Sequence, residues 1–126
     1  MRNRSGVVIR QNDTVLLIKR IRENRVYYVL PGGGVKWGES FEQAAIREAW
    51  EELGILVELN DQIVRIEYEG IQIYYEASIL SGNIKLENGI LDGSDANERG
   101  AYVLVWKKRS ELSQLQLYPE EMRTLL

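Results

Sequence analysis

Apolar and polar residues alternate with a period of two through most of the first thirty positions. Gly6 to Arg10 and Thr14 to Arg20 are β-branched runs separated by the turn-forming Gln11-Asn12-Asp13, and together they predict a hairpin. Val26 to Leu30 predicts another strand, stopped at Pro31-Gly32-Gly33-Gly34. The pattern becomes helical from Ser40 to Leu53. Ser40 and Gln43 fit a capping box, in which each side chain satisfies an orphan amide of the first turn, and Gly54 suits the left-handed position after the last. Gln62 to Glu69 and Ile71 to Leu80 predict strands meeting near Gly70, with a further turn at Ser81-Gly82-Asn83. Glu87 to Gly100 is rich in Gly, Asp, Asn and Glu and has little periodicity, so it reads as a long loop of the kind that often carries function. Ala101 to Trp106 predicts a last strand with Trp106 in the core, followed by short helices at Ser110 to Leu115 and Pro119 to Leu126. Strands around one long helix, with a helical tail, describe an α+β fold in which helices cover a mixed sheet.

Composition narrows the chemistry. A chain of 126 residues predicts a single domain over 1–126, and 44% hydrophobic with 28% charged residues places it among ordered globular proteins. There is no Cys, so thiolate nucleophiles, disulfides and thiolate metal sites are excluded. There is no His either, which removes imidazole bases, Ser-His-Asp triads and His-ligated zinc. Catalysis must therefore run on carboxylates, Lys, Arg, Tyr, hydroxyls, backbone groups or a hard metal held by oxygen. A formal charge of -3 argues against a dedicated nucleic-acid binder. The longest apolar runs, such as Val15-Leu16-Leu17-Ile18, are far shorter than a bilayer span, and the basic start leads into a strand pattern. The expectation is a soluble cytoplasmic protein with no membrane partner.

On a helical wheel Ile46, Trp50 and Leu53 form an apolar face, and Glu48, Glu51 and Glu52 fall largely on the other side. The carboxylates stand three and four residues apart, where like charges repel by about 0.2–0.5 kcal/mol per pair. Arg47 can offset part of this through Glu51, and a divalent cation would offset far more. Taken alone, three glutamates on a helix are usually a solvated face. Their surroundings change that reading. Gly33, Glu39, Arg47, Glu48, Ala49, Glu51, Glu52, Gly54 and Ile55 read G-x5-E-x7-R-E-U-x-E-E-x-G-U, with U apolar. This resembles the Nudix box at every position, with Ala49 smaller than the usual aliphatic residue. Leu16 to Arg20, Tyr28 to Val35, the Tyr102-x-Leu104-x-Trp106 strand and the Leu-rich tail extend the resemblance over nearly the whole chain.

The resemblance implies a Nudix-type α/β/α sandwich whose box forms a loop–helix–loop, and hydrolysis of a nucleoside diphosphate linked to another group, with Mg²⁺ or Mn²⁺. A pyrophosphate is densely anionic, so cations that bridge carboxylates and phosphate oxygens suit its chemistry, and a Glu can serve as base where other enzymes use His. By position in the motif, Glu48, Glu51 and Glu52 would hold metal, with the Gly33 carbonyl as a further ligand because a glycine turn lets backbone approach closely. Arg47 would orient the carboxylates. Glu39 would support the box loop, join the metal shell or face the substrate.

Arg20, at a strand end, is a candidate phosphate clamp, and an ordinary strand-end charge is the competing reading. The base is either Glu48 or Glu51, or a carboxylate on a distant loop, where Glu98 stands just before the last strand beside Asp92 and Asp95. Tyr74 and Tyr75 point to opposite faces of their strand, so one could stack on a base or sugar while the inward one packs in the core. Trp37, beside the glycines, is a weaker candidate for stacking.

A catalytically silent nucleotide-binding module with this fold is the alternative, disfavoured because every box carboxylate is kept. An isomerase of the isopentenyl-diphosphate branch is disfavoured because such enzymes rely on Cys and His. Substrate choice is read by elimination. Gly70 stands where ADP-ribose enzymes carry a Pro, Gly70, Ile71 and Gln72 stand where diadenosine polyphosphate enzymes favour a Tyr, and no Ser-Gln-Pro-Trp segment exists. A (d)NTP or nucleotide sugar remains as the small-molecule substrate. Many relatives dimerise, so a homodimer is possible, although no patch in the sequence identifies an interface.

Overall fold

The computed structural model describes residues 2–84 and 101–126. In chain order the elements are strands β1 (Arg4–Val8), β2 (Arg10–Gln11), β3 (Thr14–Arg22), β4 (Arg25–Val29) and β5 (Gly32–Gly34), helix α1 (Phe41–Leu53), and strands β6 (Leu56–Glu67), β7 (Ile71–Ser81) and β8 (Ala101–Lys108). A 3₁₀ helix (Arg109–Gln114), strand β9 (Leu117–Tyr118) and helix α2 (Met122–Leu125) complete the chain. The loop expected over Glu87 to Gly100 lies outside the described residues. Among the described residues no helix is long and apolar enough to cross a membrane. The described residues of Met1–Ile9 and Pro31–Lys85 form one compact unit, and those of Arg10–Leu30 and Leu86–Leu126 form a second.

In the first unit the sheet order is β5-β1-β7-β6. β1 runs antiparallel to β5 and parallel to β7, while β7 and β6 are antiparallel with register shifts between Leu59 and Val64. α1 packs on β1, β5 and β6. Val7, Ala45, Leu53, Ile55, Val57 and Ala77 are among its buried residues. In the second unit β3 is central. β8 runs antiparallel along it from Thr14↔Lys108 to Ile21↔Ala101, β4 pairs antiparallel from Ile18↔Val29 to Arg22↔Arg25, and β9 joins β4 in parallel. Val15, Leu16, Leu17 and Ile18, all buried, form its core with Leu112, Leu117 and Met122.

Three local expectations need correction. The hairpin predicted between Gly6 to Arg10 and Thr14 to Arg20 is only two residue pairs long, Arg10↔Val15 and Gln11↔Thr14, because residues 4–8 pair with β7 and β5 in the other sheet. Gly32 to Gly34 is itself a strand, not a turn, since its backbone pairs with Arg4 to Gly6. The expected tail helix over Pro119 to Leu126 narrows to the single turn α2, and Leu117–Tyr118 before it is a strand. These are long-range pairings, which compete with local propensity and often win.

Candidate functional site

The site is built on α1, whose ends follow the sequence. Ser40 has extended backbone, its Oγ accepts the Gln43 amide at 3.0 Å, and Gln43 Oε1 accepts the Ser40 amide at 2.9 Å. Gly54 closes the helix at φ 69°, donating its amide to the Trp50 carbonyl at 3.0 Å. The buried face differs from the expected one. Ala44, Ala45, Ala49 and Leu53 are buried, while Trp50 is 60% exposed and Ile46 is half-buried. Glu48 and Glu52 sit between those alanines on the packed side, so two carboxylates lie within the face that meets the sheet. A wheel weighted by bulk undervalues Ala, whose short side chain lets a helix backbone lie close to a strand. Ser5, 1% exposed on β1, ties the helix start down by donating its hydroxyl to the Phe41 carbonyl at 2.6 Å.

The glycine strand receives both carboxylates. The Gly32 amide donates to Glu52 Oε1 at 2.7 Å. The Glu48 carboxylate occupies the space that a β-carbon on Gly33 would need, so a larger residue there would have to push that carboxylate aside. The two glycines therefore act through close approach and an amide donated within a strand, and the structure places Gly33 and Glu48 side by side.

Arg47 organises the remaining groups. Its Nε donates to Glu39 Oε2 at 2.8 Å and its Nη2 to Glu39 Oε1 at 3.0 Å, a two-point pairing. Nη2 also donates to the Gly34 carbonyl at 2.9 Å, and Nη1 reaches Glu48 Oε1 at 2.9 Å and Glu51 Oε2 at 3.1 Å. Glu39 further accepts the Lys36 amide at 3.0 Å. The Arg47 hydrogen bonds, then that amide, hold the Glu39 carboxyl down at about 2. Arg47 is pushed above the ordinary arginine range, first by Glu39 and then by Glu48, with desolvation opposing both. Glu39 thus links the Lys36 amide on the loop before α1 to Arg47 on the helix.

Among the described residues no three His, Cys, Asp or Glu side chains are gathered where they could hold a metal ion. Glu48 and Glu52 lie on the glycine strand, and Glu51, half-exposed, is turned to Arg47. The donors are nonetheless all oxygen, two of the carboxylates are fixed against backbone, and this chemistry suits a hard divalent cation.

The other expected residues are scattered. Tyr74 is 4% exposed, its ring fills the space beside Gly6, and its hydroxyl donates to Gln72 Oε1 at 3.1 Å, so it packs in the core and offers no open face for stacking. Burial raises its pKa, with Arg4 opposing. Tyr75, also buried, donates its hydroxyl to Glu42 Oε1 at 2.7 Å, and burial followed by that bond pushes it up. Arg20 belongs to the second unit, with its guanidinium over the rings of Tyr27 and Tyr102 at 5.9 and 5.5 Å. Trp37 is fully exposed and Trp106 half-buried. Glu98, Asp92 and Asp95 lie outside the described residues. Sequence reading missed Arg22, Arg25 and Tyr118, which join Tyr27 around a hollow of about 350 Å³. The alternation Arg20, Arg22 and then Arg25, Tyr27 on paired strands was the available signal.

A loop–helix–loop set on a mixed sheet is the arrangement that the sequence resemblance implied. The family model for the NUDIX domain matches residues 1–78, and the chain belongs to that family. It is 33% identical over 89 residues to a putative 8-oxo-dGTP diphosphatase of Bacillus subtilis, covering 71% of this chain and 57% of that protein. It is 35% identical over 63 residues to an RNA pyrophosphohydrolase of Roseobacter denitrificans, covering 49% and 39%. The chain thus spans about half the length, or less, of these relatives. Among solved structures, a MutT NUDIX hydrolase from Burkholderia pseudomallei superposes with a TM-score of 0.74 at 26% identity, covering 97% of this chain and 94% of that one.

Proposed function

We propose that this chain hydrolyses the pyrophosphate linkage of a nucleoside diphosphate derivative, a (d)NTP or nucleotide sugar, with Mg²⁺ or Mn²⁺ as cofactor. The observation that carries this reading is the placement of Glu48 and Glu52 on the packed face of α1, against Gly33 and Gly32. Glu52 is held there by the Gly32 amide and Glu48 by Arg47, so two anionic oxygen donors are fixed beside the glycine strand, the ligand type that a hard divalent cation takes. Glu48, Glu52 and the Gly33 carbonyl would hold the cation, with Glu51 joining them. Such a cation would neutralise the pyrophosphate and make a water more acidic.

The protein's own part is orientation and proton transfer. Arg47 fixes Glu48 and Glu51 from one guanidinium. One of these two takes a proton from water as its oxygen bonds to phosphorus, and the bridging oxygen leaves with the other phosphate. The relatives differ in what their names say they act on, 8-oxo-dGTP or RNA, so family membership leaves the substrate to experiment. Purified protein is expected to release product from such a substrate only with Mg²⁺ or Mn²⁺, and Glu52→Gln to lose most turnover. Chelator-insensitive turnover, or a fully active Glu52→Gln protein, overturns the reading. Binding without turnover by the wild type would favour the silent module.

A further inference from the structure

Ser5 closes a circuit of contacts around the box. Among the described residues it is, tyrosines apart, the one polar side chain that is buried, at 1% exposed. Its backbone on β1 is paired with Gly33 on β5 and, across the other edge, with Ile73 on β7. Paired residues of adjacent strands share a face of the sheet, so the hydroxyl of Ser5 and the bare position of Gly33 look the same way. The hydroxyl donates to the Phe41 carbonyl of α1 at 2.6 Å, and the Glu48 carboxylate of α1 lies on Gly33. Helix and sheet thus meet twice in one row, once through Ser5 and once at the glycine beside it. Two positions further along, Tyr75 on β7 is paired with Val7 and donates its hydroxyl to Glu42 Oε1 at 2.7 Å. Neighbouring strands therefore hold the first two residues of α1.

Neither bond is needed to complete the pairing of the backbone. In an α-helix the Phe41 carbonyl already accepts the amide four residues on, and Glu42, which is exposed, has water for its carboxylate. What the two bonds supply is direction. The face of α1 that meets the sheet carries Ala44, Ala45 and Ala49, whose methyl groups raise no ridge to fit a groove, so packing alone resists sliding and rolling only weakly. A hydrogen bond is short and sensitive to angle, and it fixes the helix along its own axis. Glu48 and Glu52 stand about two and three turns from Phe41 at 3.6 residues per turn, on the same rod. A slip at Phe41 would carry both carboxylates away from Gly33 and Gly32.

We propose that Ser5, seconded by Tyr75, is a positioning residue that sets α1 in the register at which Glu48 and Glu52 can take a divalent cation. The proposal rests on the hydrolytic reading, in which those carboxylates hold the metal. Without the tie the helix samples registers in which they are out of place, and the apparent metal affinity falls with the fraction of molecules in the competent one. A bond of ordinary intramolecular strength changes that fraction about fivefold.

The test is calorimetric titration of Mn²⁺ without substrate on the wild type, Ser5→Ala, Tyr75→Phe and the double variant, with melting curves on each. Glu52→Gln, expected to lose the site, gives the background. Ser5→Ala is expected to bind Mn²⁺ about fivefold more weakly and Tyr75→Phe roughly twofold, with the double variant weaker than either. Turnover of Ser5→Ala is expected to fall at limiting metal and to return towards the wild-type kcat as Mn²⁺ is raised, because binding draws the helix back into register. Ile18→Val, a change at a buried position of β3 in the second unit, controls for lost stability; it is expected to lower the melting temperature and leave Mn²⁺ affinity alone. Wild-type Mn²⁺ affinity in a folded Ser5→Ala, or an equal loss in Ile18→Val, overturns the positioning role and leaves turnover that depends on Glu52 standing. If Ser5→Ala does not fold, Tyr75→Phe decides, and wild-type affinity there overturns the proposal. No Mn²⁺ binding by the wild type overturns the hydrolytic reading and this proposal together.

Discussion

Glu48 and Gly33 occupy one space: the glutamate carboxylate lies where a β-carbon on the glycine would have to be. The carboxylate can sit on the strand only because the strand has no side chain there. Gly33→Ala is therefore expected to push the Glu48 carboxylate, the end of a flexible side chain, off the strand at little cost in stability. Lost turnover at a melting temperature close to the wild type's would bear this out; wild-type turnover in Gly33→Ala would contradict it.

Gly54 gives the opposite case among the glycines. A β-carbon there meets nothing within 4 Å, but the backbone stands at φ 69°. Gly54→Ala is expected to cost about 1 kcal/mol from left-handed strain alone. Thermal melting should show a larger loss than for Gly33→Ala.

Removing Arg47 leaves Glu39, Glu48 and Glu51 without their shared cation. Arg47→Lys keeps a charge but cannot reproduce the two-point pairing with Glu39. Both Arg47→Lys and Arg47→Gln are expected to lower kcat more than they raise KM, with Gln the worse, because the carboxylates lose orientation while the substrate keeps its other contacts. Steady-state kinetics separates the two effects.

Acid stability should carry the signature of the same pair. Glu39 falls from 4.5 when unfolded to about 2 when folded, so between those values the unfolded chain binds more protons and stability rises with pH. The contribution is complete above about pH 4.5 and is lost as pH falls towards 2. Arg47, raised above its ordinary value, contributes at every pH below that value and adds no slope here. Urea midpoints across this window should fall less steeply in Arg47→Gln than in the wild type.

The capping box makes a cleaner stability test. Ser40→Ala removes the acceptor for the Gln43 amide and is expected to cost about 1 kcal/mol. Melting measures it directly.

How far the sequence carried is clearest on α1. Its ends were legible because Ser40, Gln43 and Gly54 act on neighbours within a few residues. Its buried face was not, because Ala45 and Ala49 carry a weak hydrophobic signal yet mark where the helix lies on the sheet. Spacing singled out Gly33, Glu39, Arg47, Glu48, Glu51 and Glu52, and the structure joins Arg47 to Glu39, Glu48 and Glu51 while placing Glu48 and Glu52 on the glycine strand. Tyr74 could not be resolved from its strand alone, since alternation says that Tyr74 and Tyr75 face opposite ways but both turn out to be buried. The Arg20–Tyr27 row was hidden for a related reason: cross-strand register is a property of pairings, and no single segment contains it.

Ala45 and Ala49 also set a gauge. With only methyl groups on that face, the distance from helix to strand is fixed by the smallest side chains able to bear on it, and Glu48 and Glu52 share that distance. A bulkier residue at Ala45, which is fully buried, would lift both carboxylates off the glycines together. A chemically inert position of the helix can thus be as hard to replace as the carboxylates it carries against the strand.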